Sequence, residues 1–340
     1  MENIADRINV ASLSPASGAA RAFGIAAMGV TAFAAMLAGI LPLQMSIAVV
    51  FLFAGPHNWM ELRYFLARMP VRWGASRNFF ALAIMGVVTL ASYYAMLPSL
   101  ASLQHWDEAQ WKTAAATWNS LLILWVVGLI YLRSRQMPRR NWSLAIPIAL
   151  ALVAANWAMP EVWEIALVYL HPVLALWFLD RQLRRSRPAW LAVYRVCLAL
   201  IPLLLLVLCW RLSNAAPLAQ DNGLTLRITQ NVGADLFSGI SNRVFVAAHV
   251  FLETLHYAVW IVALPLIGLS TAPWRIRKIP LVRHRLGWPR AVRSVLILGA
   301  FAVLLLWGCF AVDYQTTRDV YFTVAIIHVL AEVPFLLRMI

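Results

Sequence analysis

Three times in this chain a glutamate follows a histidine by four residues: His57 and Glu61 in "HNWME", His249 and Glu253 in "HVFLE", His328 and Glu332 in "HVLAE". On an α-helix an i, i+4 pair shares one face, so each pair sets an imidazole one turn from a carboxyl. His256 extends the middle pair to i, i+4 and i+7, and a fifth histidine, His171, lies in "VYLHPVLALWFLD". The other two, His105 and His284, fall in loops. Neutral imidazole and carboxylate are usual ligands of iron, zinc and manganese. The Glu-x-x-His of residues 253–256 also repeats the helical spacing of di-iron carboxylate bundles. Glu61, Glu253 and Glu332 can each ligate a metal or hold a ligating histidine. Two nuclearities stay open: one iron with roughly four histidines and outer glutamates, or two ions sharing histidine and glutamate.

The surroundings make such groups expensive. Of 340 residues 62% are hydrophobic and 12% charged, and the mean hydropathy is +0.74, which excludes an ordinary soluble domain and points to an all-α, polytopic membrane bundle. One charged group at the bilayer centre costs about 2.5–3.5 kcal/mol on the insertion scale. Five histidines and three glutamates must therefore satisfy one another, and a metal ion does that best. The net charge of +14 would suggest nucleic acid in a soluble protein, but here the cations lie in short loops and act as topology signals, so no nucleic-acid partner is expected. Cys197, Cys209 and Cys309 sit in apolar segments without metal-type spacing. Trp106, Trp111, Trp142, Trp163, Trp190 and Trp274 fall near segment ends, as in an interfacial belt.

Apolar runs of spanning length predict ten helices, at about 23–41, 44–67, 78–100, 113–132, 142–159, 161–180, 189–211, 242–269, 292–312 and 319–338. "RMPVRWGASR", "RSRQMPRR", "RQLRRSR" and "RIRKIPLVRHRLGWPRAVR" are basic, whereas "LQHWDEAQW", "PEVWE", 213–240 and "DYQTTRD" hold most of the loop acids. By the positive-inside rule the basic loops and both termini are cytoplasmic, as in a bacterial inner membrane, with the polar lead-in "MENIADRINVASLSPASGAARAF" on that side. One membrane domain, 1–340, is expected, with 213–240 as an extracytoplasmic loop whose run "LTLRITQ" predicts a short strand or hairpin. Counted from the outer ends, His57, His171, His256 and His328 lie near mid-span, His249 about two turns further out, and Glu61 and Glu332 about one turn further in. A lone membrane histidine is usually a packing residue, but packing gives no reason for coincident depth on four helices. Arg63, Arg68 and Arg195 read as snorkelling anchors, Arg63 with the option of pairing with Glu61. Tyr257 and Trp260 read as packing.

From "GPHNWMELRYF" onward the motif order resembles the Brp/Blh membrane β-carotene 15,15'-dioxygenases. The matching positions are His57 with Glu61, His171, His249 and His256 with Tyr257, and His328 with Glu332, covering about four of the ten helices. The resemblance implies one non-haem iron, held by the histidines, that cleaves a carotenoid with O₂. Asn58 stands where that family has glycine, the acids are Glu rather than Asp, and His249 and His256 are more widely spaced. A shared metal scaffold is thus implied more strongly than a shared substrate.

The expected function is an integral-membrane non-haem metalloenzyme, an iron-dependent oxygenase, hydroxylase or desaturase acting on a lipid-soluble substrate, with an electron donor as a further partner. Zinc and manganese are the alternative ions. Haem, with two axial histidines in an electron carrier, leaves the three glutamates unexplained. A proton-coupled transporter uses similar His/Glu chains but lacks here any inverted repeat or paired broken helices.

Overall fold

The computed structural model describes residues 15–137, 141–237, 239–268 and 276–339. The first fourteen residues of the lead-in and Trp274 lie outside them. Every regular element among the described residues is helical. The long ones are α1 (Pro15–Ile40), α2 (Pro42–Arg68), α3 (Arg77–Gln104), α4 (Glu108–Gln136), α6 (Pro160–Ser186), α7 (Pro188–Leu212), α9 (Asn242–Ala258), α12 (Pro289–Val312) and α13 (Tyr314–Met339). Between them run the shorter α5 (Ala145–Ala158), α8 (Gly223–Asn231), α10 (Leu264–Gly268) and α11 (Pro280–Arg283). A π-helical turn, Val259–Ala263, joins α9 to α10.

Eight helices among the described residues are long and apolar enough to cross a membrane, which marks the chain as an integral membrane protein. Each of the ten predicted spans coincides with helix, but two fall outside that set of eight. α2 has the length, at 27 residues, yet carries His57, Asn58, Glu61 and Arg63 in its second half. α5 has only 14 residues, a rise of about 21 Å at 1.5 Å per residue, where a straight span needs about 20 residues. Trp106, Trp111, Trp142, Trp163 and Trp190 each lie within a turn of a helix end.

By its contacts the chain divides into two compact units, each built from two stretches: the described parts of Met1–His57 and Val168–Pro273, and those of Asn58–Leu167 and Trp274–Ile340. In the first, α1 and α7 pack closely because Gly24 and Gly39 of α1 leave room for Val193 and Leu208 of α7. α9 packs against both. Ala34, Ala35 and Ala38 of α1 meet Val244, Ala247, Val250, Phe251 and Leu255 in one core. Of the apolar window of α9, 61% is buried, against 11% for α12. That enclosure is what makes an ionisable stripe on α9 costly.

The strand or hairpin expected within 213–240 is not formed; "GLTLRITQN" is the helix α8. Asn222 caps it, its side chain accepting from the Thr225 backbone N–H at 2.8 Å. The alternation that suggested a strand is too short to outweigh a helical stripe in which Thr225, Ile228 and Thr229 are buried at i, i+3 and i+4. Ile228 and Val232 pack on Val246 of α9.

In the second unit, α3, α4 and α13 share a core of Phe79, Phe80, Leu90, Trp118, Leu129, Leu330 and Leu337. Trp118 Nε1 donates to the Leu90 carbonyl at 2.9 Å. Trp59 of α2 likewise donates to Leu296 of α12 at 2.8 Å. α5 is held by Asn156, which accepts from Asn119 at 2.9 Å and donates to the Ala116 carbonyl at 2.8 Å. At its ends, Asp107 and Gln110 form a capping box on α4.

Candidate metal centre

In the first unit, three helices bring three imidazoles together. His57 comes from α2, His171 from α6 and His256 from α9. His256 is the common member: its ring centroid lies 5.3 Å from that of His57 and 4.6 Å from that of His171. A ring nitrogen of His256 lies within 4.8 Å of one on His57, and one lies within 4.8 Å of a nitrogen on His171. Two ligands each about 2.0–2.1 Å from one ion cannot have their nitrogens more than about 4.2 Å apart, so these pairs stand at or within a few tenths of an ångström of bridging distance.

Pro56 precedes His57 and Pro172 follows His171, both inside helices that run on without a break. A proline lacks the N–H that would bond to the carbonyl four residues back. The His57 ring answers locally: its Nδ1 lies 3.1 Å from the Phe53 carbonyl. A carbonyl can only accept, so Nδ1 carries the proton and Nε2 the lone pair. Such backing fixes the tautomer and ring plane of a metal-ligating histidine.

His249, Glu253 and His256 are all buried on one helix. Glu253 Oε2 faces His249 Nδ1 at 3.8 Å, and Oε1 accepts a 2.8 Å hydrogen bond from the Tyr257 hydroxyl. The Tyr257 ring in turn lies 4.4 Å from that of His57. Tyr257 therefore does more than pack. Tyr169 of α6 sets its ring edge-on to His249 at 5.8 Å, with its hydroxyl shared between the Val232 and Phe245 carbonyls. Trp260, in the π turn, is buried against Phe178.

In the second unit, Glu61 of α2 and Glu332 of α13 are both 0% exposed and lie within electrostatic reach of each other. His328 is half-buried one turn before Glu332. Neither oxygen of Glu61 has a hydrogen-bond partner among the described residues. A buried carboxyl in that state calls for a partner that those residues do not supply. Arg63 is not that partner, because no ion pair joins the two among the described residues. Arg63 is itself buried, and Arg68 lies over the Tyr64 ring at 5.1 Å. Arg195, half-exposed, pairs with Asp180 at 2.9 Å.

Comparison of the chain with known protein families, with curated proteins and with solved structures finds no match in any of the three.

Proposed function

We propose that this protein is an integral-membrane non-haem metalloenzyme, with iron as its metal and a lipid-soluble, carotenoid-like or acyl-chain substrate as its target. The observation that carries the reading is the approach of His256 to both His57 and His171, delivered from three helices of one unit. Their donor chemistry fits an ion: imidazoles only, with the His57 tautomer already set for ligation through Nε2. Bound there, iron would supply O₂ activation, and a ligand set with open positions suits ferrous iron. The chain's own residues do the rest. The three histidines fix the ion, the Phe53 carbonyl orients His57, and the apolar residues of α9 around them exclude water. The Brp/Blh-like motif order supports the same chemistry. Close approach of the His256 ring to both partners favours an ion over haem, whose macrocycle must pass between two axial rings.

Elemental analysis and absorbance of detergent-purified protein test the reading. Iron in fixed ratio to protein, without a Soret band, is the expected result. Zinc in that ratio with no iron would sink the oxygenase assignment, since Zn²⁺ has no accessible redox change. A Soret band would replace it with haem.

A further inference from the structure

Glu253 is shared between two side chains of its own helix. One oxygen accepts from Tyr257 at 2.8 Å; the other faces His249 at 3.8 Å. Both members of the Glu253–Tyr257 pair are more than nine-tenths buried, so water does not compete for the bond, and an ionised acceptor would strengthen it. The phenol so held presents its ring to His57, at 4.4 Å between centroids and 37° between planes. His57 is thus gripped twice: at Nδ1 by the Phe53 carbonyl and on its face by Tyr257.

We propose that Glu253 is a positioning residue that acts on the metal centre through Tyr257. The carboxylate anchors the phenol, and the anchored ring holds the His57 imidazole in the plane from which Nε2 reaches the ion. This rests on the metal-centre reading above and deepens it, because it gives Glu253 a part outside the ligand set. Geometry favours the indirect role: Oε1 is already committed to a short hydrogen bond from Tyr257, and Oε2 faces His249 Nδ1 at 3.8 Å.

Two conservative variants separate positioning from ligation. Tyr257→Phe keeps the ring and deletes the hydrogen bond, while Glu253→Gln keeps an oxygen able to accept from the phenol. In metal-free protein in bilayers, labelled with ¹⁵N-histidine and with His57 assigned from a His57→Asn sample, Tyr257→Phe and Glu253→Ala should shift the His57 ring resonances. Glu253→Gln should leave them near their original positions. With Co²⁺ as probe, Tyr257→Phe and Glu253→Ala should weaken binding about 10–100-fold, the usual cost of losing an outer partner, and move the visible ligand-field bands. The double variant should be no worse than either single one. Loss of Co²⁺ from Glu253→Gln as complete as from His256→Ala would make Glu253 a ligand and overturn the proposal. So would Tyr257→Phe with unchanged His57 resonances and an unchanged Co²⁺ spectrum. Wild-type protein that binds neither Co²⁺ nor Fe²⁺ would overturn the metal-centre reading itself, while the bracing of His57 would still be read in its resonances.

Discussion

His256 and His171 occupy unequal places in the cluster, and the difference is measurable. His256 approaches both other imidazoles, so His256→Ala should abolish metal binding. Removing His171, which is half-buried and pairs with His256, leaves His57 and His256 in place and should only lower affinity, with occupancy regained at higher metal concentration in a competition titration. Equal loss in both variants would mean that no pair of histidines suffices. At this scale the sequence was informative because ionisable residues are rare in apolar segments: each intramembrane histidine and glutamate was visible as an exception to its surroundings. Tyr257 was not, since an aromatic ring in such a segment has an ordinary packing explanation. Only the hydroxyl on Glu253 gives it a role, and the direction of a hydroxyl is set by tertiary contacts.

Helices were legible from apolar run length, whereas their ends and exceptions came from local hydrogen bonding. α8 read as a strand because seven alternating residues fit either period, and the cap on Asn222 decided for helix. α5 depends more on polar contacts than on its own length. Its Asn156 makes hydrogen bonds to Asn119, the Ala116 carbonyl and Ser120. Interhelical hydrogen bonds in membrane proteins average about 0.6 kcal/mol and reach about 1.7, so Asn156→Ala should destabilise by roughly 1–3 kcal/mol, read as a lower unfolding temperature in detergent. An unchanged temperature would show that apolar packing alone holds α5 on α4. Between α12 and α13, hydrogen bonds from the Thr316 side chain and backbone, the latter at 3.1 Å, hold the Asp313 carboxyl below its ordinary value. A group with a lowered folded value contributes stability above its unfolded pKa and loses it as pH falls through the folded one. Below about pH 4, the ordinary range of aspartate, the unfolding temperature of the wild type should therefore drop more steeply than that of Asp313→Asn.

Of the two predicted spans outside the eight long apolar helices, α2 and α5, α5 is the one whose 14 residues are too few by length alone. Two observations within the second unit nevertheless require the chain to return between α4 and α6. Lys112, in the second turn of α4, pairs with Glu108 at 2.7 Å and with Glu161, in the first turn of α6, at 2.9 Å, which sets the starts of α4 and α6 at one level. Asn156 and Trp157, at the end of α5, bond to Ser120 near the middle of α4, so α5 has already run back about 24 Å from the end of α4 at 1.5 Å per residue. The chain leaves α4 at Gln136, about 40 Å away for a 29-residue helix, and must come back across before Pro160. A return through α5 agrees with the alternation of basic loops. Reporter fusions at Met137, Arg185 and Pro280 should therefore be cytoplasmic, and those at Glu108 and Thr225 on the opposite side, with both termini cytoplasmic. Arg185 is the decisive position. If α5 failed to cross, α6 would run outward and its basic end "RQLRRSR" would lie outside, against the charge rule. An extracytoplasmic signal at Arg185 would thus refute the return through α5, and with it the common depth assigned to His171 and His256.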